Sequence, residues 1–261
     1  MNKNLVSLAT LSIFVMVAKV SAEPNKSMEL KVEPSHSSQL FVNQVRSSNS
    51  VGTAVRTFIA RYPEKSVDIV KIAFDTYPER FRQILSAAVS TQPAFVDEFL
   101  KLAIERDLAE PTELLRLAIN AEPSYAEFAA EAACKFSPEN FNELVKTAVL
   151  VEPDSADQIA KTLVASYPNK ALDILVTTIK EVPLVGKYVI DALLALFPMD
   201  SSESESMIII SVEQLAMHPE AMHRLTELAR DRGIEEQAFI DSAMRGGLSE
   251  DKARQYTSVH Y

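Results

Sequence analysis

The sequence predicts an all-α protein, an α-solenoid of short antiparallel helices followed by a small C-terminal helical module. Three observations lead to this prediction. Prolines recur at intervals of 15 residues, apolar residues recur at fixed distances from each proline, and no glycine occurs between positions 53 and 185. A fixed period that carries a fixed apolar pattern indicates repetition of structure and not of composition alone.

The prolines mark the helix boundaries. Proline is tolerated in the first turn of a helix and disfavours helical geometry in the residue before it, so each proline ends one helix and begins the next. A helix of about 11 residues leaves room only for a tight turn, so successive helices run antiparallel and two units form a hairpin of about 30 residues. Pro111 is displaced by three places, which predicts one longer and one shorter helix. The regular prolines are Pro63, Pro78, Pro93, Pro123, Pro138, Pro153, Pro168, Pro183 and Pro198.

Five apolar columns define the buried face of each repeat. They lie 3, 6, 7, 10 and 11 residues after the proline, and this spacing puts all five on one side of a helix. The tenth position is mostly alanine, which lets neighbouring backbones approach closely. Residues 51–59 fit the same register with Ser48 in place of proline, so a first helix is expected before Pro63. We therefore assign residues 51–199 to the solenoid.

The N-terminus has the pattern of a secretory signal peptide. Lys3 precedes an apolar run over residues 5–17, and small residues end at Ala22. This pattern predicts cleavage after Ala22 and a secreted or periplasmic protein. The apolar run is too short to remain as a membrane-spanning helix, so no transmembrane anchor is expected.

Charge and cysteine content restrict the partners. The formal net charge is −10, and removal of residues 1–22 with Lys3 and Lys19 makes it −12. A surface of this sign repels polyanions, so nucleic acid is not an expected partner. Cys134 is the only cysteine, so stability after export must come from packing and not from an internal disulfide.

Three segments flank the repeats. Residues 23–50 contain serine-rich stretches and are predicted to be a flexible leader. Residues 200–206 are predicted to be an acidic serine and glutamate linker. Residues 207–261 are assigned to the C-terminal module, with helices near 207–217, 219–232, 234–245 and 249–257 and a short strand at 208–210 as an alternative.

The sequence offers little support for catalysis. It has no nucleophile elbow, no phosphate-binding glycine loop and no metal-binding cysteine pair, so no catalytic residue, metal ligand or cofactor is assigned. Cys134 falls in an apolar column and is interpreted as a buried thiol. The alternative to a binding protein is an enzyme or a ligand or metal carrier with its site around Met217–His223, where methionine and histidine are ligands that suit copper.

The best recognition surface in the sequence is the set of tyrosines that precede prolines. Tyr62, Tyr77 and Tyr167 either fill gaps between stacked turns or form a binding surface along one turn edge. The architecture resembles short HEAT-like solenoids, a resemblance that implies no functional residue. We therefore expect a non-enzymatic interaction or scaffold module, with a protein or glycan as its partner.

Overall fold

The computed structural model describes residues 36–260, and the side chains of residues 38–258. These residues form an all-α solenoid, as the sequence predicts. The predicted signal peptide, residues 1–22, and the first part of the predicted leader lie outside the described residues. The helices are α1 (His36–Ser48), α2 (Val51–Arg61), α3 (Ser66–Thr76), α4 (Phe81–Thr91), α5 (Val96–Glu105), α6 (Pro111–Ala121), α7 (Ala126–Phe136), α8 (Phe141–Val151), α9 (Ala156–Ser166), α10 (Ala171–Glu181), α11 (Gly186–Leu194), α12 (Ser202–Leu215), α13 (Pro219–Asp231), α14 (Glu236–Arg245) and α15 (Glu250–His260).

Each regular proline except Pro198 begins a single 3₁₀ turn, and the α-helix starts three residues later. At Pro63, the turn covers Pro63–Lys65 and α3 begins at Ser66. The preceding Tyr62 has φ −137° and ψ 66°, and its N–H closes the previous helix by donating to the Phe58 carbonyl at 2.8 Å. Proline has no N–H, but no helical hydrogen bond is lost here, because the chain turns at the proline between two helices.

The helices form two layers. Each helix packs against its neighbours in sequence and also against the helix two places along the chain, so the even-numbered helices form one layer and the odd-numbered helices the other. Short turns make successive helices antiparallel. The turns after even-numbered helices therefore lie along one edge of the solenoid, and the turns after odd-numbered helices along the opposite edge. We call these the Tyr62 edge and the Tyr77 edge.

The predicted apolar columns form the core, but the register around Pro111 differs from the prediction. Leu114, Leu115, Ala118 and Ile119 are buried, and they lie 6, 7, 10 and 11 residues after position 108. The 15-residue period therefore continues through Leu108, and α5 is not lengthened. A left-handed residue, Asp107 at φ 51°, ends α5 here, and Pro111 occupies the first helical position of α6.

The prediction of a flexible leader is wrong for residues 36–48, which form α1. Phe41 is buried, and its ring centroid lies 5.9 Å from that of Phe58 and 6.3 Å from that of Tyr77. The buried Phe41 and the partly buried Val45 are four residues apart, so they share a helical face against α2 and α3. This short apolar pair holds a helix within a serine-rich segment.

The predicted linker at residues 200–206 is also helical, from Ser202 onwards. Ser201 caps α12 by accepting a hydrogen bond from the Ser204 N–H at 3.2 Å, and the Ser204 hydroxyl donates to the Pro198 carbonyl at 2.8 Å. Glu203 and Glu205 lie in the first turn, where negative charge favours a helix. Residues 208–210 belong to this helix and form no strand.

The C-terminal helices continue the two layers of the repeats. Helix α12 packs against α10 and α11, and α13 packs against α11, as successive repeat helices do. A Cβ atom at Gly186 would lie 2.9 Å from Cδ1 of Leu215, which shows how closely α12 approaches α11. The described residues form one compact unit, and the boundary predicted at 207 does not divide the core.

Candidate functional site

The three predicted tyrosines do not share one surface. Tyr62 follows α2 and lies on the Tyr62 edge, whereas Tyr77 follows α3 and Tyr167 follows α9, which places both on the opposite edge. Three helix pairs separate Tyr77 from Tyr167, a distance of about 30 Å at the usual spacing of packed helices. The sequence pattern missed this because identical positions in successive antiparallel helices alternate between edges.

Tyr77 and Tyr167 pack between repeats. The Tyr167 ring meets the ring of Phe141 edge-on at a centroid distance of 5.2 Å, and burial raises the pKa of its phenol. The Tyr77 ring lies beside that of Phe41, and both tyrosines are partly buried against the core. These contacts match the gap-filling interpretation of the two residues.

Tyr62 lines an apolar groove at the N-terminal end of the odd-numbered layer. Its side chain is 39% exposed, and its ring stacks on that of Phe58 at a centroid distance of 6.4 Å. The groove has a volume of about 420 Å³ and lies between α1 and α3. We call it the Tyr62 groove. It is lined by Leu40, Phe41, Phe58, Tyr62, Lys65, Asp68, Ile69 and Ile72.

A second groove of about 370 Å³ lies between α5 and α7, and we call it the Phe128 groove. Phe128 is 48% exposed and lies next to Tyr125, with 5.6 Å between the ring centroids. The sequence analysis did not select these two aromatic residues, because they do not precede a proline. The groove is lined by Ala94, Val96, Asp97, Tyr125, Phe128, Glu131, Ala132 and Lys135.

A third groove, of about 240 Å³, lies where α11 and α13 begin, and we call it the His218 groove. Leu184 is 86% exposed at its rim, an unusual position for a leucine in a repeat whose apolar columns are buried. The groove is lined by Pro183, Leu184, Lys187, His218, Pro219, Glu220 and Ala221. All three grooves therefore lie between odd-numbered helices; the Tyr62 and His218 grooves lie near the Tyr62 edge, and the Phe128 groove extends along α7 to Lys135.

The methionine and histidine side chains around residue 220 do not converge on one point. Met222 is fully buried and Met217 is exposed. His218 lines the His218 groove, whereas the His223 ring meets Tyr256 of α15 edge-on at 5.1 Å. Among residues 38–258, no group of three or more histidine, cysteine, aspartate or glutamate side chains is arranged to hold a metal ion.

The contacts of Cys134 and Arg224 indicate that both residues stabilise the fold. Cys134 is fully buried in α7, and burial raises the pKa of its thiol to about 12. Arg224 donates hydrogen bonds to the carboxylates of Asp191 and Glu227, so its charge is already balanced on the surface between α11 and α13.

Within residues 36–260, no helix combines the length and the apolar composition that crossing a bilayer requires. Comparisons with known proteins found no family model, no curated protein and no solved structure that matches this chain.

Proposed function

We propose that the protein is an exported, non-enzymatic interaction module that binds an extended polypeptide along its odd-numbered helices. The observation that carries the proposal is the recurrence, between odd-numbered helices, of three grooves that each have a large exposed apolar side chain in their lining. Helical-repeat proteins use such continuous surfaces for binding, because stacked units present equivalent positions in a row.

The exposed apolar side chains support a binding role for these grooves. Phe128 and Leu184 belong to repeats whose apolar columns are otherwise buried, and Leu40 precedes the buried Phe41 in α1. Large apolar side chains that are exposed at the rim of a groove mark interaction sites more often than isolated surface residues do. The negative net charge favours a neutral or basic partner over a polyanion.

The spacing of the grooves suits an elongated partner. Neighbouring helices of a layer lie about 9 Å apart, so two steps separate the Tyr62 groove from the Phe128 groove and three further steps lead to the His218 groove. The three grooves therefore span about 45 Å. An extended chain advances about 3.3 Å per residue, so about 14 residues would reach all three.

Peptide selection tests this function. Random 15-residue peptides displayed on phage are selected against the full chain, and the affinity of synthetic copies is measured by fluorescence anisotropy. We expect Tyr62→Ala and Leu184→Ala each to weaken binding by at least about fivefold, since exposed rim residues contribute on the order of 1 kcal/mol.

Leu150→Ala is the matched control, because Leu150 is 46% exposed on α8 of the even-numbered layer. Its effect should stay within about twofold. Selection of no peptide above background, or an equal loss of affinity in the Leu150 variant, would contradict binding along the odd-numbered helices.

Export is tested separately. The signal-peptide pattern supports cleavage after Ala22, so the mature chain should begin at Glu23. Mass spectrometry of the protein from the medium or periplasm measures its N-terminus. Retention of residues 1–22, or recovery of the protein only from the cytoplasm, would contradict export without affecting the binding proposal.

A further inference from the structure

Phe128 occupies a position that the packing of the repeats does not explain. It lies five residues after the proline, outside the five buried columns, and it is 48% exposed. A large aromatic ring at such a position exposes apolar surface without completing the core. The equivalent positions of the other odd-numbered repeat helices carry Asp68, Glu98, Gln158 and Tyr188.

The Phe128 groove combines aromatic rings with carboxylates. The rings of Tyr125 and Phe128 lie at 50° to each other, and Asp97 and Glu131 line the same groove. Neither carboxylate forms an ion pair with a lysine or arginine of the described residues. The ammonium of Lys135 lies 5.2 Å from the centroid of the Phe136 ring instead.

Two carboxylates and one ammonium, that of Lys135, line this groove, so the carboxylates exceed the ammonium by one charge. The Glu131 carboxylate accepts a hydrogen bond from the Ser166 hydroxyl at 2.5 Å, which fixes its position and leaves its charge unbalanced. Beside the groove, the adjacent Asp97 side chain, followed by partial burial, raises the pKa of Glu98. A cation near Asp97 would relieve the crowding of these two carboxyl groups.

We propose that the Phe128 groove receives an arginine side chain of the bound polypeptide. This rests on the proposed polypeptide-binding function and names one side chain that the partner must supply. A guanidinium stacks flat on aromatic rings and donates in a fork to carboxylates, whereas a lysine ammonium is a more strongly hydrated point charge. Ala94 and Ala132 leave an apolar wall for the methylene stem of the arginine.

Nuclear magnetic resonance of the full chain tests this proposal with a small probe. N-acetyl-arginine-N-methylamide is added, and the ring signals of Phe128 and Tyr125 are followed. We expect these signals to shift in a saturable way. The citrulline analogue, which has nearly the same shape and no charge, should bind at least about fivefold more weakly, since the charged contact is lost.

Substitutions test which side chains of the groove bind the arginine probe. Phe128→Ala and Asp97→Asn should each weaken arginine binding by at least about threefold. Asp157→Asn is the matched control, because Asp157 lies four residues after its proline, as Asp97 does, and the charge change is the same. It should leave binding within about 1.5-fold of the parent.

Three results would overturn the arginine proposal: equal binding of the citrulline analogue, no effect of Phe128→Ala, or an equal effect of Asp157→Asn. Failure here would leave peptide binding through Tyr62 and Leu184 intact. Failure of the peptide selection would instead remove all three grooves as a common binding surface. The two proposals are therefore distinguishable.

Discussion

The guanidinium of Arg224 in α13 donates hydrogen bonds from Nε and Nη2 to the Asp191 carboxylate in α11, at distances of 2.9 to 3.2 Å. The two residues are 33 positions apart, about one helix pair of the solenoid. The contact joins the last proline-marked repeat to the C-terminal helices. It adds a polar contact to the packing of α13 against α11.

A double-mutant cycle of Arg224→Ala and Asp191→Ala measures the strength of this contact. The two side chains are 39% and 41% exposed, so solvent screening reduces their attraction. We expect a coupling free energy of about 0.5 to 1 kcal/mol in urea unfolding. No measurable coupling would show that the ion pair does not hold the two helices together.

Leu215→Ala tests whether the C-terminal helices belong to the main core. Leu215 is fully buried and packs at Gly186 of α11, so its truncation should lower the free energy of unfolding by about 2 to 5 kcal/mol. Leu196→Ala, at a residue that is 37% exposed, is the control. An independent C-terminal module would instead produce two unfolding transitions, with the repeat transition unchanged by Leu215→Ala.

Gly246→Ala and Gly233→Ala separate steric contact from backbone strain. A Cβ at Gly246 would meet the Glu213 carbonyl oxygen and the Ala216 side chain, so this change should destabilise the protein by about 3 kcal/mol. Gly233 has φ +67° and open space around it, so the cost there should be about 1 kcal/mol. Thermal or urea unfolding ranks the two variants, and the reverse order would contradict the close approach of α14 to α12.

Ala148→Asp and Leu150→Asp test the register of the repeats within a single helix. Ala148 is fully buried in α8, so a carboxylate there should destabilise the protein by about 3 kcal/mol or more. Leu150 is exposed, and the same substitution should change stability by about 0.5 kcal/mol or less. Equal effects in urea unfolding would mean that the buried face is assigned wrongly.

The thiol of Cys134 should be almost unreactive in the native protein. Its pKa is raised from 9.0 to about 12 by burial, so at pH 8 the thiolate fraction is about a thousandfold lower than that of an unperturbed thiol. Iodoacetamide labelling, followed by mass spectrometry, should therefore be at least about a thousandfold slower in buffer than in denaturing urea. Comparable rates would indicate that α7 opens readily.

The repeats could be predicted because their determinants are local. Proline and the residue before it fix where the chain turns, and the apolar columns fix which side of each helix is buried. At Pro111, however, counting residues from the proline predicts the wrong buried positions. The buried set at Leu114 and Leu115 follows the period through Leu108, because packing against the neighbouring layers holds the register even where the proline is displaced.

The candidate site could not be predicted in the same way. Tyr62 lines a groove while Tyr77 and Tyr167 fill gaps, although all three precede a proline. Their different roles depend on which edge of the solenoid each turn occupies. They also depend on where α1 packs, since Phe41 of α1 contacts Phe58 and Tyr77. Phe128 was not selected because it does not precede a proline, and the groove beside it exists only in the packed layers.

The sequence by itself therefore determined the helix length, the buried face and the antiparallel order of the repeats, since turns and amphipathic helices are encoded within about 15 residues. Only the tertiary structure decided that residues 36–48 and 202–206 are helical, that α12 to α15 continue the array, and where the grooves open. The physical reason is that serine-rich segments have weak local preferences, so the surface available for burial, as Phe41 finds against Phe58 and Tyr77, determines whether they fold.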